Sequence, residues 1–208
     1  MKHARSAGCC VFIAWFFSAG LFAAKIGDSA EVKTYDRGAW PHWIDEDHDC
    51  QNTRQEVLIR MSRIPVTTNR SGCRVLTGEW LCPFSGKVFT DASDLDIDHL
   101  VPLKEAYLSG GDTWPIDKRQ QYANDEISPG HLVAVDKRLN RAKGAQDPAK
   151  WRPPNYGAWC WYAQSWMRVK RAYDLVLDAA EVDALIEMLQ ACPTLEGEKL
   201  RIIPGFRA

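Results

Sequence analysis

The spacing of apolar residues predicts short helices along most of the chain. Val57, Leu58 and Met61 recur with the period of a helix, and Asn52 or Thr53 supplies an N-terminal cap for it. Apolar spacing, together with proline, glycine and capping residues, predicts further helices over residues 104–108, 115–124, 136–141, 159–173 and 178–189. The domain is therefore expected to be mostly helical.

Alternating patterns predict strands in the remaining segments. Residues 64–90 alternate between apolar and polar positions and predict an antiparallel hairpin, with a turn at 77–78. Leu95 and Ile97 give the next segment an apolar face opposite three aspartates, and residues 132–135 form a short apolar strand. Helices around a few antiparallel strands indicate an α+β fold.

The N-terminus has the pattern of a secretory signal. Two basic residues precede an apolar run over residues 11–17, and small residues follow before position 24. The run is short for a transmembrane helix, although an uncleaved anchor is the alternative. We therefore expect a signal peptide over residues 1–24, one domain over 25–192 and a loose tail over 193–208. The protein should be secreted or periplasmic, without stable membrane insertion after signal removal.

Export makes the cysteines candidates for disulfides. Five of the seven cysteines lie outside the expected signal peptide, which is an odd number. Cys160 and Cys192 lie at opposite ends of two neighbouring predicted helices and could join them as an antiparallel pair. Cys73 could pair with Cys82 across a short hairpin or with Cys50 in the N-terminal region, and the sequence leaves both pairings open.

The net charge of the mature chain limits how it could bind nucleic acid. Removal of residues 1–24 takes away two of the 26 basic residues and none of the 27 acidic ones, which leaves −3. Binding to nucleic acid would then need a local basic patch. The densest basic cluster surrounds Asn140. Its expected phosphate contacts are Lys143 first, then Arg141 and Arg138, and the alternative is a solvated face.

Asp98 and His99 are the residues that most strongly indicate chemistry. They lie side by side, and about forty residues later Asn140 offers a second oxygen ligand. A carboxylate and a carboxamide can hold a hard divalent cation, and a neutral histidine can activate water for hydrolysis of a phosphodiester. Adjacent side chains of a regular strand point to opposite faces, so this hypothesis requires the strand to end or bend at the pair. Taken alone, such a pair is more commonly structural.

Two further acidic segments could take part in metal binding, and each also has a purely structural interpretation. Asp94 and Asp96 could support the metal site from behind, or they could form a solvated strand face. His42, His48 and Cys50 lie around an acidic run and could form a metal site, but their spacing matches no zinc site, and Cys50 is a candidate for a disulfide.

Three segments together resemble the HNH endonucleases, whose site is built on a ββα-metal finger. They are DIDHLVPLKEA (residues 96–106), a stretch from Trp114 to Asp125, and LVAVDKRLNRAKGAQDPAKWRPP (132–154). The chain is most similar to the secreted group of this family, which is related to the C-terminal domain of GmrSD restriction endonucleases. Weaker similarity extends from residue 40 to Cys192, and the implied finger core covers about residues 87–145.

The resemblance implies a role for each motif residue. Asp98 matches the metal-binding carboxylate, His99 the general base that deprotonates the attacking water, and Asn140 the second metal ligand. His131 occupies the middle position of the pattern, which is Asn in many members of the family. It is expected to brace the loop through a ring nitrogen and to be structural. Mg²⁺ is the implied cofactor, with Mn²⁺ as a substitute.

The implied function is that of a secreted metal-dependent endonuclease that hydrolyses DNA, with RNA as a second substrate, at low sequence specificity. Because His99 must be neutral, activity is expected to fall below about pH 6.5. The protein is expected to be a monomer. The alternative is a non-catalytic exported module that keeps the finger for binding, and a hydrolase of small phosphoesters would need a closed pocket.

Overall fold

The computed structural model describes residues 34–193. Its helices are α1 (Thr53–Met61), α2 (Leu103–Leu108), α3 (Ile116–Asn124), α4 (Lys137–Lys143), α5 (Trp159–Ala172) and α6 (Ala179–Leu189). Its strands are β1 (Thr67–Thr68), β2 (Val75–Leu81), β3 (Val88–Asp91), β4 (Leu95–His99) and β5 (Leu132–Asp136). This composition confirms the α+β fold. The expected signal peptide and nearly all of the expected tail lie outside the described residues. Within residues 34–193 no helix has the length and apolar character to cross a membrane.

The ends of the helices follow local signals in the sequence. Asn52 caps α1, and its side chain accepts a hydrogen bond from the backbone N–H of Gln55. A capping box at the start of α6 pairs the side chains and backbones of Asp178 and Glu181. Gly144 ends α4 with a φ of 54°, a conformation that favours glycine. Such signals act within one turn of the chain, so the helices lie close to where they were predicted.

β1, β2 and β3 form a three-stranded antiparallel sheet. The turn predicted at residues 77–78 is wrong, because Thr77 and Gly78 lie inside β2, where its register with β3 shifts. A Cβ atom on Gly78 would lie 2.6 Å from Ser62 Oγ and from the ring of Trp80. Glycine is therefore needed here for the close approach of neighbouring side chains.

β4 and β5 form a separate antiparallel pair, in register from Leu95 opposite Asp136 to His99 opposite Leu132. α4 follows β5 without a loop, since Asp136 is both the last residue of β5 and the N-cap of α4. The unit β4–β5–α4 is a ββα arrangement, and it lies within the segment expected to form the finger.

β5 is buried on both faces, which embeds the ββα unit in the domain. Val133 and Val135 belong to the larger hydrophobic cluster, with residues of α2, α3, α5 and α6. Leu132 and Ala134 belong to a smaller cluster that includes residues of α1 and β2. Alternate residues of β5 therefore pack into the two hydrophobic clusters and connect them. The backbone of the ββα unit, which carries the site residues, is held rigidly by this packing.

A buried lysine ties the C-terminal helices to α2. The Lys170 side chain is fully buried, and its Nζ lies 2.7 Å from Glu105 Oε1 and 2.8 Å from Glu181 Oε1. It also donates a hydrogen bond to the carbonyl oxygen of Val176 at 2.9 Å. Because an unbalanced buried charge is strongly destabilising, this set of contacts holds α2, α5 and α6 in one arrangement.

Two disulfides stabilise the domain, Cys50–Cys73 and Cys160–Cys192. The first decides between the pairings that the sequence left open. The second joins the start of α5 to the segment after α6, as expected. Cys82, the fifth cysteine outside the expected signal peptide, is a buried free thiol.

Candidate active site

Asp98 and His99 lie together at the end of β4. The strand ends at His99, as the hypothesis of a shared site required. Both residues line a cleft of about 330 Å³, and Asn140 of α4 lines the same cleft. The fold therefore brings together the three residues that the sequence singled out, although about forty positions separate Asn140 from the pair.

Backbone and ring contacts hold His99 in one orientation. Its Nε2 lies 2.8 Å from the carbonyl oxygen of Ala123 in α3. Because a carbonyl only accepts hydrogen bonds, Nε2 carries the proton and Nδ1 of the neutral ring is unprotonated. Nδ1 makes no hydrogen bond with any residue in the part of the chain described. The indole of Trp43 lies 5.5 Å from the imidazole and restricts its rotation.

The surroundings of His99 keep its side chain uncharged. Burial, and next the neighbouring His131, lower the pKa of His99 well below its usual value, while the hydrogen bond to Ala123 opposes this shift. The ring is therefore neutral at physiological pH, and its Nδ1 can act as a base. Protonation is displaced below the pH of about 6.5 that an ordinary histidine would give.

His131 braces the loop beside the site. Its Nε2 donates a hydrogen bond to the carbonyl oxygen of Tyr122 at 2.6 Å, next to the carbonyl used by His99. Its own carbonyl accepts the backbone N–H of Leu100 at 2.9 Å. This place suits a bracing role. No sequence signal indicated that Tyr122 and Ala123 orient the two histidines, because every residue type supplies a backbone carbonyl.

Asp96 fixes the orientation of the Asn140 carboxamide. The Nδ2 of Asn140 donates a hydrogen bond to Asp96 Oδ2 at 3.1 Å. Among residues 34–193 the carboxamide oxygen of Asn140 has no hydrogen-bond donor, and the residue lines the cleft. The contact fits the supporting interpretation of Asp96 better than that of a solvated strand face.

Lys143 does not lie where a phosphate contact was expected. Its side chain is fully buried, and Nζ donates to Asp98 Oδ1 at 2.9 Å and to the carbonyl oxygen of His99 at 3.0 Å. A phosphate contact needs an accessible ammonium, so the location corrects that expectation. Burial raises the pKa of Asp98, and the Lys143 ammonium opposes the rise. Lys143 is thus an internal counter-charge beneath the site.

Other basic side chains surround the cleft. Arg141 is exposed and lines it. The side chain of Arg138 is 84% exposed and lies 3.6 Å from Asp136, outside the residues that line the cleft. Arg37 and Lys104 line the cleft as well. The sequence did not single out these two, because Arg37 precedes the motif by some sixty residues and Lys104 is one lysine among many.

Comparison with known proteins gives the family. Residues 52–188, more than half of the chain, match the C-terminal domain of GmrSD restriction endonucleases. The chain belongs to this family. It is 44% identical over 158 residues to an uncharacterized secreted protein of Arthroderma benhamiae, and the alignment covers 76% of each chain. No solved structure matches it.

Membership makes this GmrSD C-terminal domain a nuclease-related domain. The expected secreted or periplasmic localisation agrees with the description of the relative. It also agrees with the two disulfides, which persist in oxidising compartments.

The donor set of this GmrSD domain fits a hard divalent cation. Asp98 Oδ2 is buried and lies 2.9 Å from Lys143 Nζ, yet it accepts no well-directed hydrogen bond from the described residues. With the carboxamide oxygen of Asn140, the cleft has two oxygen ligands to offer. Such ligands suit Mg²⁺ or Mn²⁺ better than zinc, and two protein ligands leave positions for water and phosphate.

Proposed function

We propose that this protein is a secreted, metal-dependent HNH endonuclease. It hydrolyses phosphodiester bonds of DNA, with RNA as a second substrate, at low sequence specificity. The convergence of Asp98, His99 and Asn140 on one cleft of a ββα unit carries the proposal. The family match, which relates the domain to nucleases, supports it.

His99 acts as the general base. Its Nδ1 takes a proton from a water molecule in the cleft, and the oxygen of that water attacks phosphorus. The bond from phosphorus to the leaving sugar oxygen breaks, and the leaving oxygen takes a proton from solvent. The Ala123 carbonyl stabilises the imidazolium, because its hydrogen bond from Nε2–H strengthens when the ring becomes charged.

Asp98 and Asn140 would hold the divalent cation, with Mg²⁺ preferred and Mn²⁺ as a substitute. When bound, the cation supplies charge stabilisation to the scissile phosphate and to the leaving oxygen. Asp96 fixes the carboxamide of Asn140 by accepting a hydrogen bond from Nδ2, and no donor among the described residues reaches the carboxamide oxygen. Lys143 holds the Asp98 carboxylate and the backbone of His99 from below, so that both ends of the dipeptide are fixed.

The cleft suits a sugar–phosphate backbone. Arg37, Lys104 and Arg141 line it and give local positive charge to a chain whose formal net charge is −1. Contacts with phosphates position a nucleic acid without reading its bases, which accounts for low sequence specificity. All of these residues belong to one chain, so a monomer suffices.

A non-catalytic exported binding module built on the same finger is the second candidate. The ion pair between Asp98 and Lys143 favours it, because an internal ammonium balances the carboxylate without any metal. Among the described residues, neither Nδ1 of His99 nor the carboxamide oxygen of Asn140 has a hydrogen-bond partner. This favours the enzyme, since a scaffold has no need of an open base or an open metal ligand.

Cleavage assays distinguish the two candidates. The mature, oxidised protein is incubated with supercoiled plasmid, single-stranded DNA and RNA, each with Mg²⁺, Mn²⁺ or EDTA. The nuclease predicts nicked and linear products with either metal and none with EDTA. Binding without cleavage under every condition would support the binding module instead.

A further inference from the structure

The loop before α1 brings three carboxylates together outside the candidate nuclease site. Asp45, Asp47 and Asp49 alternate along the chain, and one carboxylate oxygen from each lies within 4.8 Å of those of the other two. No zinc spacing fits this segment. An oxygen-only cluster, however, is typical of sites for hard cations.

The spacing of the acidic residues continues into α1. Counting from Asp45, the aspartates occupy positions 1, 3 and 5, and Glu56 occupies position 12. This is the order D-x-D-x-D-x₆-E of the calcium loop in EF-hands, where the final Glu lies in the helix that follows. Glu56 lies in the first turn of α1 in the same way. The linear register is thus independent of the spatial cluster and points to the same cation.

Cys50 takes the position that is glycine in the EF-hand loop. Its φ is 76°, the left-handed conformation for which glycine is usually chosen. Its backbone N–H donates to Asp45 Oδ2 at 3.0 Å, and its disulfide to Cys73 ties the turn to the start of β2. The disulfide at Cys50 can therefore hold the sharp turn that glycine makes in an EF-hand, so that the backbone of the loop follows the same course.

Asp45 is partly exposed, but one of its carboxylate oxygens is shielded from solvent. Its Oδ1 is completely buried and has no hydrogen-bond partner within residues 34–193. A buried carboxylate oxygen without a donor is costly unless a cation or a proton satisfies it. This observation concerns a single atom and does not depend on the number of acids around it.

The fold adds a third segment to the negative charge, after the aspartate loop and α1. Glu126, from the loop between α3 and β5, lies beside Glu56 and adds a like charge. Within residues 34–193, none of the ion pairs involves any of these acidic side chains. No basic side chain of the described part balances this charge.

We propose that residues 45–56 bind one Ca²⁺ ion, with oxygen ligands from the three clustered aspartates. The carboxylate of Glu56 lies outside that cluster, and its side chain turns toward the ion when Ca²⁺ binds. The backbone carbonyl of Gln51, at position 7, is the corresponding main-chain ligand. Thr53, at position 9, is committed elsewhere, because its hydroxyl donates to Ile44 and Asn124, so water completes the shell. Ca²⁺ is favoured over Mg²⁺ because it accepts more ligands in a flexible geometry.

The calcium loop is attached to the support of His99. Asn124 Oδ1 accepts the backbone N–H of Ile44 and the hydroxyl of Thr53, and Asn124 follows the residue whose carbonyl orients His99. Trp43, which packs on the imidazole, immediately precedes the same segment. Bound Ca²⁺ thus stabilises the segment beside the candidate site, and it is a structural ion rather than the cation of hydrolysis.

Calorimetric titration of the mature, oxidised protein with CaCl₂ and with MgCl₂, after EDTA treatment, tests the proposal. We expect one Ca²⁺ per chain with a dissociation constant of about 10⁻⁴–10⁻³ M, the range of extracellular modules. At a hundredfold excess over that constant, Ca²⁺ should raise Tm by roughly 5–10 °C. Mg²⁺ should raise it less.

Matched variants locate the ion. Asp47→Asn and Glu56→Gln should each weaken Ca²⁺ binding at least about tenfold, whereas Glu46→Gln, an exposed acid at a non-ligand position, should bind as the parent does. Asp98→Ala, in the candidate nuclease site, should keep the Ca²⁺ response, so this outcome is independent of whether the protein is an enzyme. Far-UV circular dichroism checks folding. No Ca²⁺ binding by the parent, or undiminished binding by both folded ligand variants, would overturn the proposal.

Discussion

Replacing Lys143 by Met tests whether this residue is an internal counter-charge or a phosphate contact. Methionine keeps most of the side-chain volume but removes the ammonium that lies 2.9 Å from Asp98 Oδ1 and 3.0 Å from the His99 carbonyl. Asp98 would then be buried with its charge uncompensated. Removing one partner of a buried ion pair costs about 3–5 kcal/mol, which lowers Tm by roughly 6–20 °C for a domain of this size.

Thermal and urea unfolding, followed by circular dichroism, measure this cost. Arg141→Met is the matched control, because Arg141 is an exposed basic residue of the same helix that lines the cleft. It should change stability by less than about 0.5 kcal/mol and should weaken binding to nucleic acid.

A second substitution connects the loss to Asp98. The double variant Lys143→Met with Asp98→Asn should recover part of the lost stability, because the uncompensated charge is then absent. An unchanged Tm for Lys143→Met, together with weaker binding to nucleic acid, would instead show that Lys143 contacts phosphate and is not an internal counter-charge.

Three further predictions concern the site and its support. Asp96→Ala should reduce metal-dependent cleavage about 10–100-fold without a large loss of stability, because it releases the Asn140 carboxamide; equal rates would contradict this. Burial lowers the pKa of His99, and the base must be unprotonated to act. Activity should therefore persist below pH 6.5 and fall only at lower pH. A pH–rate profile with its midpoint at 6.5 would show that the pKa of His99 is not lowered. Lys170→Met should lower the free energy of unfolding by about 3–5 kcal/mol, whereas exposed Arg171→Met should not; equal stabilities would rule out the buried network.

Local signals allowed much of the fold to be predicted. The cap at Asn52 and the capping box at Asp178 involve contacts within one helical turn, so the residues that make them are visible together in the sequence. The ending of β4 at His99 followed from the requirement that two adjacent side chains share a site. That requirement is a consequence of strand geometry and needs no knowledge of the rest of the protein.

Contacts between distant segments were the part that the sequence could not supply. Gly78 was interpreted as a turn residue because the close approach of Ser62 and Trp80 is a tertiary contact. Lys143 was interpreted as a phosphate contact. In the sequence, a lysine that balances a buried carboxylate cannot be distinguished from a lysine that is exposed to solvent. A metal site in residues 45–56, which we now propose for Ca²⁺, was set aside for a different reason. The spacing matched no zinc site, and Cys50, at the glycine position of the loop, favoured a disulfide interpretation.

Whether His99 is the general base of a nuclease is decided by the single-turnover rate of plasmid cleavage in Mg²⁺, measured side by side for the parent, His99→Ala and His48→Ala. His48 is an exposed histidine outside the candidate site and serves as the control. If His99 is the general base, His99→Ala is slower by about 10²–10⁴-fold, and His48→Ala cleaves at the parent rate. Cleavage by a folded His99→Ala protein at a rate close to that of the parent would exclude His99 as the base.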